Sequence, residues 1–173
     1  AGAGLMIIAK LATIAKTQAG LNLGFLLVAM LAIGNGGGRI AAGMLSDKFG
    51  RQKVLFSCFV IQALLIFTIS RATTGSILAT TWTLGLLSAL IGANYGANLS
   101  LFPSITMDYY GKTHFGINYG LVFTSWGVGG FMLALLAGKI YDKTHSFNFA
   151  YYCASSLLVL AAVLTLFLKP PRP

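Results

Sequence analysis

A single arginine carries the most distinctive chemistry in this chain. Arg39 stands in the middle of an apolar run, with several helical turns free of any other charge on both sides. A cation at the centre of a membrane helix costs roughly 2.5 to 3.5 kcal/mol on insertion scales, so something must face it. Asn35 lies one turn away on the same helical face. The functional expectation is an anion site lined by Arg39 and Asn35, in which a guanidinium offers a carboxylate a planar two-point contact. The alternative is an ion pair with a carboxylate on another part of a larger protein. No Asp or Glu occurs inside any of the long apolar runs, so the chain has no obvious internal counter-ion.

The same absence bears on energy coupling. A proton or sodium carrier needs a titratable or anionic group near the midplane, usually Asp, Glu or His. Asp47, Asp108, Asp142, His114 and His145 all fall at the ends of apolar runs. Capping or loop pairing is the expected role of each, and a coupling group, if there is one, is the substrate or lies outside this chain. Asn94, Tyr95 and Asn98 place polar groups at helical spacing in another run, and Phe102-Pro103 follows. They are expected to bond either a substrate or a neighbouring helix. Pro103 removes a backbone donor and is expected to bend its helix. Trp126 lies deeper than an interfacial belt residue and is expected to be a cavity wall or a packing residue.

The elements that hold these residues follow from composition. Of 173 residues 57% are hydrophobic and 9% charged, and mean hydropathy is +0.81. A soluble domain carries about 25% charged residues, so a water-soluble enzyme is excluded. Six apolar runs, at about 1–15, 20–46, 54–71, 76–106, 116–140 and 149–168, have the length of membrane spans. Short breaks between them make consecutive helices antiparallel. The net charge of +9 is explained by basic residues flanking the spans, and nucleic acid is not expected as a partner. Cys58 and Cys153 lie in separate apolar runs and are expected to behave as small hydrophobes. The chain opens on Ala1-Gly2-Ala3-Gly4 and enters an apolar run at once, without a signal-peptide pattern. The expectation is a chain that begins inside a helix and is one piece of a longer protein.

Charge gives a weak orientation. Lys48, Arg51, Lys53, Lys112, Lys169 and Arg172 fall on one side of the expected topology and Lys16, Arg71, Lys139 and Lys143 on the other. Six against four puts Asp47-Lys48 and the C-terminus on the cytoplasmic side. An internal echo supports a repeat: Ala42-Gly43-Met44-Leu45-Ser46-Asp47-Lys48 ends the second span and Ala137-Gly138-Lys139-Ile140-Tyr141-Asp142-Lys143 ends the fifth. Separated by three helices, the two copies end on opposite membrane faces, the pattern of an inverted 3+3 repeat in transporters. Gly34, Gly36, Gly37 and Gly38 before Arg39, then Gly85, Ser88, Ala89, Gly92 and Gly96, and Gly127, Gly129 and Gly130, are expected to let helices approach closely.

Gly43-Met44-Leu45-Ser46-Asp47-Lys48-Phe49-Gly50-Arg51-Gln52-Lys53 resembles the loop signature Gly-x-Leu-x-Asp-Arg-x-Gly-Arg-Arg/Lys of the major facilitator superfamily. Gly4 to Ile8, Asn35 to Arg39, Leu101-Phe102-Pro103-Ser104 and Asn118-Tyr119-Gly120 further resemble its oxalate:formate antiporter branch, which is related to monocarboxylate transporters. The resemblance covers essentially the whole chain. It implies an all-α membrane protein in which residues 1–173 form a C-terminal six-helix transmembrane domain, helices seven to twelve, whose N-terminal half is absent. It also implies that Arg39 is the carboxylate-binding arginine, that Tyr95 holds an aromatic cavity position, and that Gly43, Asp47, Gly50 and Arg51 belong to a gating loop.

One departure from that branch shapes the substrate expectation. Oxalate carriers resemble one another in a second cation, a lysine on helix eleven, and alignment on Asn118-Tyr119-Gly120 puts Trp126 there. One cation beside a bulky aromatic suits a single carboxylate, such as lactate, pyruvate or formate. The expected function is therefore a secondary transporter of small organic anions, expected to be monocarboxylates, working by alternating access, with Arg39, Asn35, Tyr95, Asn98 and Trp126 as substrate-binding residues. Expected partners are the anion, the lipid bilayer, the missing half and either a proton or a counter-anion; no cofactor or metal is expected. An oxalate-like dicarboxylate antiporter or another solute carrier is the first alternative, and a channel or non-transporting membrane subunit the second. The expected location is a bacterial or archaeal cytoplasmic membrane.

Overall fold

A computed structural model of the protein describes residues 2–20, 24–73 and 75–168. The chain folds into six helices, α1 (Gly2–Ala19), α2 (Gly24–Phe49), α3 (Arg51–Ile69), α4 (Thr81–Tyr110), α5 (Phe115–Thr144) and α6 (Asn148–Leu166), with one 3-10 turn, Ile77–Ala79, ahead of α4. Helices satisfy every interior backbone group within their own segment, which is what a lipid solvent demands. Five of the six, α2 to α6, are long and apolar enough to cross a membrane. The remaining helix, α1, carries Lys10 and Lys16 within its 18 residues.

Glycine makes two of the reversals at one end of the bundle. Gly50 alone separates α2 from α3, at φ 92°, and Gly111 closes α4 at φ 73°. Both lie in the left-handed region, where a Cβ is penalised. At the other end of the bundle, the Thr80 hydroxyl accepts the backbone N–H of Thr83 and caps α4.

Packing pairs the helices across the two halves. Helices α2 and α4 run parallel in close backbone contact: a Cβ on Gly34 would strike Ala89, one on Gly38 would strike Ala93, and ones on Gly92 and Gly96 would strike Leu31 and Asn35. Helices α1 and α5 also run parallel, with Gly130 against Leu5 and Gly138 opposite Lys10. Helices α3 and α6 are antiparallel, tied by Gln52 Nε2 donating to Thr165 O (2.8 Å) and Ser155 Oγ donating to Ala63 O (3.4 Å). Exchanging α1–α3 with α4–α6 maps this pairing onto itself, and Ala42 and Ala137, equivalent in the two echoing helix ends, are both buried. That is the inverted repeat expected from the echo.

The glycines divide differently from expectation. Gly34, Gly38, Gly85, Gly92, Gly96 and Gly130 meet a neighbouring helix, whereas Gly36, Gly37, Gly43 and Gly127 have open space where a side chain would be. The reason is angular: adjacent residues on a helix point about 100° apart, so a run of glycines cannot all face one partner. Outside the core the surface is apolar; Phe25 is 89% exposed and Phe131 68%. Such a surface belongs in lipid, where close van der Waals packing between small residues replaces hydrophobic burial as the cohesive force. Cys58 and Cys153 are free thiols.

Candidate functional site

Helix α2 presents Arg39 on its exposed side, where Arg39 Nε donates to Asn35 Oδ1 at 3.2 Å. That i, i+4 bond fixes the guanidinium direction. The same Asn35 sits at the α2–α4 contact, against Gly96. The preceding residue of α4 is Tyr95, 6% exposed. Trp126 Nε1 of α5 donates to Tyr95 Oη at 3.0 Å. Four of the five residues expected to bind substrate therefore form two hydrogen-bonded pairs, Arg39–Asn35 and Tyr95–Trp126, which reach α4 at the adjacent positions Gly96 and Tyr95. Gly4 of α1 makes room for it, because a Cβ there would collide with the Tyr95 ring.

Beyond Tyr95 opens a cavity of about 590 Å³. Its walls come from α3, α4, α5, α6 and the first turn of α1, and include Phe59, Asn98, Phe102, Phe123, Trp126, Leu157 and Ala161. Tyr95, Asn98 and Trp126 line it; Arg39 and Asn35 do not. An aromatic ladder runs along α5 toward the site, with Phe115 stacked on Tyr119 (5.5 Å between centroids), Tyr119 against Phe123 (5.6 Å) and Phe123 stacked on Trp126 (4.8 Å). Trp126 is thus a cavity wall, one of its two expected roles.

The asparagines behave otherwise than expected. Asn94 Nδ2 donates to Leu90 O (3.1 Å) and Asn98 Nδ2 to Asn94 O (2.8 Å), so both bond their own helix four residues back. Such back-bonding is available to any short amide on a helix and needs no partner strand or ligand. Asn98 Oδ1 is buried without a hydrogen-bond partner. Ser104 and Thr106 also bond back, to Ser100 O and Phe102 O, and α4 remains a continuous helix through Pro103.

At the Gly50 end of the bundle the loop signature forms an ion cluster. Arg51 Nε is paired with Asp108 Oδ2, and Arg51 Nη2 stands 4.0 Å from Asp47 Oδ1. One guanidinium at the start of α3 thereby joins the ends of α2 and α4. Gly43 and Gly50 contribute space and a positive φ rather than contacts. The part of Asp108 was legible only as a general loop-pairing role, because its partner lies 57 positions earlier in sequence.

Lys10 was missed altogether. It is half-buried, level with Gly138 in the last two turns of α5, with its Nζ 3.7 Å from where a Cβ on that glycine would lie. Its signal was present, a lone cation within the first apolar run. Counting it with Lys16 narrows the charge bias from six against four to six against five. Lys169 and Arg172, two of the six, lie outside the described residues. Among the described residues no group of His, Cys, Asp and Glu is arranged to hold a metal ion.

Fold and sequence agree on the class of protein. The sequence profile of the Major Facilitator Superfamily matches residues 2–173, and the chain belongs to that family. It is an integral membrane protein of a transporter family and not an enzyme. Among curated relatives it is similar to an uncharacterised MFS-type transporter, YhjX, of Escherichia coli strain K12, at 27% identity over 59% of this chain and 24% of the relative. It is similar to human monocarboxylate transporter 14 at 33% identity over 50% of this chain and 17% of the relative. The MFS-type transporter pynF of Aspergillus niger is 27% identical over 84% of this chain and 33% of the relative. The chain thus matches a third or less of the length of each, and relatives from a bacterium, a fungus and an animal single out no domain of life.

Proposed function

We propose that this chain is the C-terminal, substrate-binding half of a carrier that moves monocarboxylate anions by alternating access, with Arg39 holding the carboxylate. The observation that carries this reading is Arg39 itself. It is a guanidinium halfway along a membrane-length helix, exposed, oriented by Asn35 and with no acidic partner among the described residues of the spans. A charge so placed requires an anion or a covering element. The tyrosine–tryptophan pair beside it supplies one neutral wall and no second cation, which suits one carboxylate and disfavours two. The similarity to a protein named as a monocarboxylate transporter points the same way.

The missing half is supported by exposure and length. The Arg39 side of α2, including Gly36 and Gly43, is bare, and the chain matches a third or less of the length of the relatives above. In this orientation the Arg51–Asp108 end is cytoplasmic and the Arg51 cluster holds that end of the half together as it moves.

Counterflow in proteoliposomes containing the longer protein to which this half belongs tests the reading. Saturable exchange of labelled monocarboxylate is expected, lost on Arg39→Gln and reduced to a small residue by Arg39→Lys, with unchanged amounts of protein in the membrane. Full exchange by the Gln variant overturns the role of Arg39, and unsaturable flux overturns the carrier.

A further inference from the structure

The cavity beside Tyr95 and Trp126 is much larger than a three-carbon acid needs. Lactate and pyruvate have about six non-hydrogen atoms, whereas pockets of about 300 to 1,000 Å³ suit drug-sized ligands. Its walls are mostly Phe, Leu, Val and Met side chains; of the polar groups in the lining, the Tyr95 hydroxyl and Trp126 N–H bond each other, Ser125 bonds Val122 O, and Asn98 and Tyr119 complete the set. A space of that size and polarity accommodates hydrocarbon or an aromatic ring, not a hydrated ion.

Charge and cavity reach α4 at neighbouring residues. Asn35, which holds the Arg39 guanidinium, meets α4 at Gly96, and Tyr95, the preceding residue, lines the cavity. We infer that the carrier's substrate is a carboxylate with an extended apolar or aromatic body, a size suited to the ~590 Å³ available, whose head engages Arg39 and whose tail lies past Tyr95 and Trp126 against Phe123, Leu157 and Ala161. This rests on Arg39 as the carboxylate site and replaces the short acids expected from sequence with long ones. The stacked rings from Phe115 to Trp126 extend the same apolar wall along α5.

Trp126 is a built-in reporter. Trp82, the second tryptophan, is 83% exposed at the start of α4 and is removed by Trp82→Phe. In nanodiscs, the Trp126 fluorescence of that variant is titrated with acetate, butyrate, hexanoate, octanoate and 3-phenylpropionate, and with octanamide. Each methylene that enters an apolar site tightens binding by about fourfold when fully buried, so octanoate is expected to bind at least about a hundredfold more tightly than acetate. Octanamide is expected to bind at least about tenfold more weakly than octanoate, as a charge-assisted contact is lost. Ala161→Phe, or Val122→Phe from the opposite wall if the first does not fold, should remove the chain-length dependence by filling the cavity.

Equal affinity for acetate and octanoate, with octanoate still preferred over octanamide, overturns the long-body inference and leaves Arg39 as the carboxylate site. Equal affinity for octanoate and octanamide overturns the inference through the failure of Arg39, and makes the cavity an acyl-chain site for lipid. Chain-length dependence that survives both cavity-filling variants also overturns it, because the tail then lies elsewhere.

Discussion

Trp126 holds two roles that a substitution can separate. Its ring walls the cavity and stacks on Phe123, and its N–H is satisfied by Tyr95. A lysine there would put a cation in the cavity wall beside Tyr95, a second one for the anion that Arg39 is proposed to hold. Trp126→Lys is therefore expected to weaken monocarboxylate exchange at least about tenfold and to improve competition by oxalate, since two carboxylates out of water need two partners. Inhibition of monocarboxylate uptake by oxalate, measured for both proteins, checks this. If the unmodified carrier already prefers oxalate to every monocarboxylate, the second cation must come from outside this chain.

Helix pairs, rather than single side chains, set the distance between Arg39 and the cavity. Close approach of α2 and α4 at Gly38 and Ala93 holds Asn35, and with it the Arg39 guanidinium, against Gly96. Gly38→Val puts a branched side chain into the Ala93 backbone, and overpacking of this kind costs about 1 to 3 kcal/mol or more. The neighbouring Gly37→Val enters open space. The expectation is a large loss of thermal stability in detergent for Gly38→Val and a change within about 0.5 kcal/mol for Gly37→Val, which has no packing partner to lose. Unfolding midpoints followed by circular dichroism distinguish them. Equal loss in both would mean that the α2–α4 contact does not hold the fold.

On the scale of the whole molecule, the exposed side of α2 leaves a charged group uncovered. Two outcomes are expected. Reconstituted alone, the 173-residue chain should show no saturable uptake of any carboxylate, because alternating access needs a second half to rock against. Saturable uptake by a monomer would show that the chain is a complete transporter. In sealed cells carrying the longer protein with Cys58 and Cys153 replaced, a cysteine at Lys53 should be protected from an impermeant reagent and one at Lys143 labelled, both positions being exposed at opposite ends of the bundle. Lys53 serves better than Gln52, whose amide is committed to Thr165 O. Labelling at position 53 from outside would invert the orientation.

The sequence alone determined the solvent, the number of helices and the family, because each of these follows from properties that repeat along the chain. Apolar run length marks a span wherever it occurs, and the residues from Gly43 to Lys53 keep their loop chemistry whatever surrounds them. It also singled out Arg39, since an unpaired cation in an apolar run is costly in any fold. The tertiary structure decided which groups meet. That Asn35 bonds Arg39 was foreseeable at four residues' spacing, but that Trp126 donates to Tyr95, that Arg51 pairs with Asp108, and that Gly38 packs while Gly37 does not depend on the rotation of each helix about its axis. Neighbouring residues differ by about 100° in direction, and a glycine-rich run with apolar residues on all sides has no amphipathic face from which to read that rotation. The cavity was least legible of all, because its walls come from five separate helices and no stretch of sequence contains it.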